Sequence, residues 1–146
     1  MRNLFFLFTI LTFISCSKPS NDYEVINTFF DQHKIRLKNL SSEPFYLNEA
    51  LKHWNRKEFE DLDFEIFQHE KYTIDTSLVK NKYPDSRRYC KTRISKPLFS
   101  KDKKRALLAV EEDCGSESVL TIFLLKKEQG KYIFEEDISS QMSLTH

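Results

Sequence analysis

The sequence predicts an α+β fold in which N-terminal helices pack on a C-terminal antiparallel β-meander. Three observations carry that expectation. Residues 94–138 read as three or four strands laid end to end, with turn signals at 100–104, 113–116 and 127–130. Within them, 106–110 (ALLAV) and 119–125 (VLTIFLL) are near-continuous apolar runs, the pattern of strands covered on both faces. Upstream, Val25/Ile26, Phe29/Phe30 and Leu37 recur at helical spacing, so 22–37 reads as an amphipathic helix.

The chain's 146 residues leave room for one domain with a sizeable core. With 31% charged and 40% hydrophobic residues it has a globular balance, not a disordered one. The formal net charge is +1, and a leader carrying Arg2 would remove that charge. A neutral chain lacks the electrostatic footprint of a nucleic-acid binder, so no such partner is expected. Gly 2 and Pro 4 argue against a loop-rich scaffold, whereas Phe 13 and Tyr 6 suit a sheet with broad buried faces.

Residues 1–15 read as a signal peptide. Arg2 supplies the positive start, 4–14 is apolar except for Thr9 and Thr12, and small Ser15 follows. Eleven residues at about 1.5 Å rise fall well short of a bilayer core of about 30 Å. The next residues carry a resemblance: Phe13-Ile14-Ser15-Cys16 resembles a bacterial lipobox, with Phe13 where leucine is usual and Ile14 a less common choice. The resemblance implies cleavage before Cys16, lipidation of its sulfur, and a cell-envelope protein anchored to the membrane by its acyl chains. Ser17, where an aspartate would act as a retention signal, implies sorting to an outer membrane.

Residues 16–21 form a short polar tether to a single domain over 22–146. Asn21 with Glu24 has the spacing of a capping box at the start of the first helix. His33 falls on or beside the apolar stripe and reads as a partly buried, hydrogen-bonded histidine. Pro44 breaks the chain at 40–45. A second helix is expected over 48–59, with Leu47, Leu51, Trp54 and Phe59 on its apolar side. Residues 61–68 alternate like a half-buried strand, and the acidic run 58–65 reads as solvated surface. Residues 72–83 are ambiguous, with a short helix expected from Asp75; Pro84-Asp85-Ser86 is a turn, and 139–146 a frayed tail.

With Cys16 lipidated, Cys90 and Cys114 remain as an even pair for an oxidising compartment. If the hairpin loop centres on Asp102, Leu98 faces Ala106, Ile94 faces Val110, and Cys90 faces Cys114. A disulfide there would contribute on the order of 3 kcal/mol. Pro97 demands an edge or a bulge, and a one-residue slip would put the thiols on opposite faces, so the sequence leaves the bridge open. No Cys-x-x-Cys occurs, and His33, His53, His69 and His146 are scattered, so no metal site or cofactor is expected.

Ser95, Pro97, Phe99, Ser100 and Asp102 form S-x-P-x-F-S-x-D, followed by Ala106, a Cys114-Gly115 turn and the Lys127/Gly130/Lys131/Tyr132 pattern K-x-x-G-K-aromatic. This run resembles uncharacterised bacterial envelope lipoproteins. It departs from them in Glu117-Ser118, where a second Cys-Gly is usual, and in Tyr132, where tryptophan is commoner. The resemblance implies an antiparallel sheet with N-terminal helices and no particular activity.

The expected function is that of a lipid-anchored envelope binding or structural module contacting another envelope protein, with no catalytic residues evident. Two alternatives stand beside it. VINTFFDQ (25–32) resembles the opening helix of the nuclear transport factor 2-like group, which implies a small-molecule pocket, in some members an enzyme, that His33, His53, Asp63 or Glu65 would line. An inhibitor or immunity-type lipoprotein would instead present an acidic loop such as Glu111-Glu112-Asp113 with Glu117.

Overall fold

The computed structural model describes residues 21–47, 64, 71–86 and 89–138. The architecture is α+β. Helix α1 (Asn21–Gln32) is followed by β1 (Leu37–Lys38), a 3-10 turn (Thr76–Leu78), β2 (Lys82–Tyr83), β3 (Lys91–Ile94), β4 (Leu98–Phe99), β5 (Arg105–Asp113), β6 (Ser118–Glu128) and β7 (Lys131–Asp137). Strands β3-β5-β6-β7 stand in that order, all antiparallel, with β4 also on β5; β1 and β2 form a separate parallel pair.

The two apolar runs are explained by burial on both sides of the sheet. Ala106 and Leu108 face Val25, Ile26, Phe29 and Phe30 of α1, together with Ile94, Leu125 and Tyr132. Their neighbours Leu107 and Ala109 face the other way, onto Phe45, Leu47, Phe64, Ile122, Leu124 and Ile138. Residues 106–109 are all fully buried. At roughly 25 cal/mol per Å2 of apolar surface removed from water, burial on both faces of β5 stabilises the fold.

Among the described residues there is one α-helix, and it is shorter than expected. It ends at Gln32 instead of reaching Leu37. Lys34 adopts φ 54°, its N–H donates to the Asp31 carbonyl at 3.3 Å, and the Ile35 N–H donates to the Phe30 carbonyl at 3.0 Å. This pair of bonds is the Schellman closure, which glycine usually provides. Ile35 is turned onto the core, and Leu37 enters β1. Lys34→Gly should remove the left-handed strain and stabilise the protein by about 1 kcal/mol. A urea midpoint that does not rise would contradict this reading of the helix end.

The second helix (48–59), the strand and acidic run over 58–68 apart from Phe64, Trp54, the leader, Cys16 and the 139–146 tail lie outside the described residues. The short helix expected from Asp75 is a 3-10 turn, whose Ser77 N–H donates to the Asp75 carboxylate at 2.9 Å.

One register correction follows from Pro97. Ile94 pairs with Val110 as expected, but Leu98 pairs with Leu107 and Phe99 with Ala106. The 95–97 stretch therefore holds one residue more than β5 opposite it, a bulge. Ser95 makes it possible: its N–H donates to the Ala109 carbonyl at 3.0 Å, and its fully buried Oγ accepts the Ala109 N–H at 2.9 Å. A side-chain oxygen thus replaces a ladder carbonyl, and Pro97, which lacks an N–H, falls where the ladder is interrupted. The slip lies wholly on the loop side of Ser95, so the cysteine end keeps its register.

Candidate functional site

Cys90 and Cys114 lie one step beyond the Lys91–Asp113 pair, at the open end of β3 and β5. They are disulfide-bonded, with sulfurs 2.06 Å and Cα atoms 4.0 Å apart. Glu112 lies two residues before Cys114, hence on the same side of β5. One of its carboxylate oxygens lies within 4.8 Å of both sulfurs. Oε1 of Glu112 is buried and has no hydrogen-bond partner among the described residues.

On the other side of the same strands, Arg93 faces Glu111 in the ladder. The Arg93 Nε–H donates to Glu111 Oε2 at 2.6 Å, a second guanidinium nitrogen lies 2.6 Å from that oxygen, and Ser118 Oγ donates to Oε1 at 3.0 Å. Glu43 approaches the guanidinium at 3.6 Å. Hydrogen bonding to the Glu111 carboxylate pushes the Arg93 pKa up, so the guanidinium stays charged. Asn39, at φ 47°, ties this end to its surroundings. Its amide donates to the Asp85 and Cys90 carbonyls at 3.0 and 3.1 Å, and its oxygen accepts the Asp85 N–H at 2.8 Å.

Of the candidate residues of the sequence, Cys90, Cys114 and Glu112 come together among the described residues. Cys16, His53, Asp63, Glu65, His69 and His146 lie outside the described residues. His33 is exposed instead of partly buried, because the helix closes there; its ring packs between Phe29 (4.8 Å) and Phe134 (5.4 Å). The acidic loop is largely consumed by folding. Glu111 is buried against Arg93, and the Asp113 carboxylate accepts the Gly115 N–H at 2.9 Å, leaving Glu117 exposed.

The S-x-P-x-F-S-x-D residues are likewise structural. Ser100 Oγ donates to Asp102 Oδ1 at 2.7 Å and accepts the Arg105 N–H at 3.0 Å; the Lys104 N–H donates to Asp102 Oδ1 at 2.9 Å. Phe99 packs on Tyr132, whose hydroxyl donates to the Lys103 carbonyl at 2.8 Å. The Lys104 N–H, followed by the Ser100 hydroxyl, holds the Asp102 carboxyl below the usual carboxylate range. A depressed folded pKa gives stability that is present above the unfolded value of about 4 and is lost as pH falls through the folded value. Asp102→Asn should therefore be less stable than wild type at about pH 6, with a gap that narrows towards about pH 2. Urea midpoints at the two pH values check this; a gap undiminished in acid would contradict it.

One feature was invisible in the sequence. Where the end of α1 meets β2, two adjoining open depressions of about 350 and 510 Å3 share Asp31, Lys80 and Asn81. Lys34, Arg36, Lys82 and Tyr83 line the first, and Asn27, Thr28, Gln32 and Lys131 the second. Asp31 is the one carboxylate among these lining residues, so the groove is basic. Its cations come from three distant stretches: the parallel pairing of Leu37 with Lys82 and Lys38 with Tyr83 joins the first two, and β7 contributes Lys131; no local spacing announces that. Among the described residues, no helix is long and apolar enough to cross a membrane. No family model matches the chain, and no curated protein or solved structure is found to be similar to it.

Proposed function

We propose that this chain is a lipid-anchored protein of the bacterial cell envelope, held by Cys16 at an outer membrane, whose single domain is a binding or structural module and not a catalyst. The reading includes a second helix over 48–59 as part of the layer against the sheet. The observation that carries it is that the helix side of the sheet is filled. Phe29 and Phe30 of α1 are fully buried there against Ala106, Leu108 and Leu125. A pocket enzyme of the nuclear transport factor 2-like kind needs that space open, with ionisable groups pointing in. Here the ion pair at Arg93 and the turn carboxylates are already engaged in holding strands and loops.

The contact surface in this reading is the basic groove, with Tyr83 (44% exposed) on its rim. Arginine, lysine and tyrosine beside one another suit an acidic protein surface. The experiment is crosslinking of intact envelopes that carry the anchored full chain, followed by its recovery under denaturing conditions. A discrete crosslinked partner, diminished by Arg36→Glu/Lys80→Glu, supports the reading. Recovery of the chain without any partner counts against it. Hydrolysis or turnover of a small molecule by the purified chain would replace it with the pocket alternative.

A further inference from the structure

We propose that the disulfide masks a metal site: once reduced, Cys90 and Cys114 together with Glu112 bind a borderline-soft divalent cation, of which Zn2+ is the natural example. The three side chains stand on one side of the sheet end, and their ligand atoms lie within 4.8 Å of one another. Two thiolates and a carboxylate form a donor set that zinc accepts, with water in the fourth position. The scaffold is already in place. The Lys91–Asp113 and Thr92–Glu112 pairs hold the two strands in register, and Asn39 anchors the Cys90 carbonyl at 3.1 Å.

The unsatisfied oxygen of Glu112 is the second, independent observation. A buried carboxylate oxygen without a donor is costly in the oxidised protein, and a cation ligated by the sulfurs and this carboxylate would offset that cost. The chemistry balances as follows. A dithiol reductant passes two electrons and two protons to the Cys90–Cys114 bond and leaves as its own disulfide. Each freed thiol then loses its proton on binding the cation, because the thiolate is the ligand. Oxidation reverses the sequence and expels the metal. The site therefore reports the redox state of its surroundings, a property separate from partner binding at the basic groove.

The test is anaerobic titration of the purified full-length mature chain with Co2+, a spectroscopic stand-in for Zn2+, after reduction with a water-soluble phosphine. Wild type is expected to develop sulfur-to-cobalt charge-transfer absorption that saturates at one ion per chain, and Zn2+ should displace the cobalt. The oxidised protein should show none. Glu112→Gln should keep the sulfur bands but bind at least ~10-fold more weakly, since losing a direct ligand costs no less than losing an outer-shell partner. Its melting temperature when oxidised should equal or exceed that of wild type, which controls for folding. Cys90→Ser should abolish tetrahedral binding. Three results overturn the proposal: no sulfur-to-cobalt band on the reduced chain, Glu112→Gln binding as tightly as wild type, or a reduced chain whose strand circular-dichroism signal is lost and not regained with Zn2+.

Discussion

Phe29→Ala is expected to lower the stability by about 4 kcal/mol, the largest effect expected of a single truncation among the described residues. Phe29 is fully buried and sits at the centre of the helix–sheet contact. Its ring lies 5.5 Å from that of Phe30, 4.9 Å from Phe123 and 4.8 Å from His33. Phe123 passes the packing on to Phe134 at 6.3 Å. Removing the ring leaves a cavity walled by β5 and β6, which cannot collapse because both strands are pinned by ladder bonds on two sides. Phe29→Leu should cost clearly less, about 1–1.5 kcal/mol, since it conserves most of the volume. Denaturant unfolding followed by circular dichroism measures both. A loss below about 1 kcal/mol for the alanine variant would mean that α1 contributes little to the core.

Arg93→Met should be the second most damaging change, at about 3 kcal/mol. It strands the Glu111 carboxylate, whose side chain keeps 11% of its exposure. A broken buried pair costs about 3–5 kcal/mol, and the 25% exposure left to Arg93 sets the value near the lower end. The double variant Arg93→Met/Glu111→Leu should recover most of the loss, because apolar side chains of similar volume can replace such a pair. The coupling energy from the full mutant cycle is the relevant quantity. A double variant no better than Arg93→Met alone would show that the cost lies in packing around the arginine stem and not in the abandoned charge.

How much of this was legible beforehand follows from the range of each interaction. The β5–β6 hairpin was readable because period, apolar density and the Asp113–Ser116 turn all agree locally. Cys90 opposite Cys114 followed from one symmetry argument about the hairpin, and the Pro97 bulge left it intact because Ser95 absorbs the extra residue before the strand reaches β3. The end of α1 was missed because Leu37 continues the apolar spacing and the left-handed residue is Lys34, not a glycine. Asn39 as an anchor for Asp85 and Cys90 depends on bonds between residues 46 and 51 apart, and the basic groove of Lys34, Arg36, Lys80 and Lys131 joins equally remote segments; neither leaves a periodic trace. His33 reads as partly buried for the same reason that Leu37 reads as helical: the apolar spacing runs past the point where the helix closes.

The reading of an anchored, disulfide-stapled envelope module is tested most directly by the intact mass of the chain extracted from bacterial envelopes with thiols blocked at the moment of lysis. The expected species begins at Cys16, carries the added mass of diacylglycerol with or without an N-acyl chain, and bears no blocking group on Cys90 or Cys114. A chain that still begins at Met1, or a lipid-free chain with both thiols blocked, would contradict it.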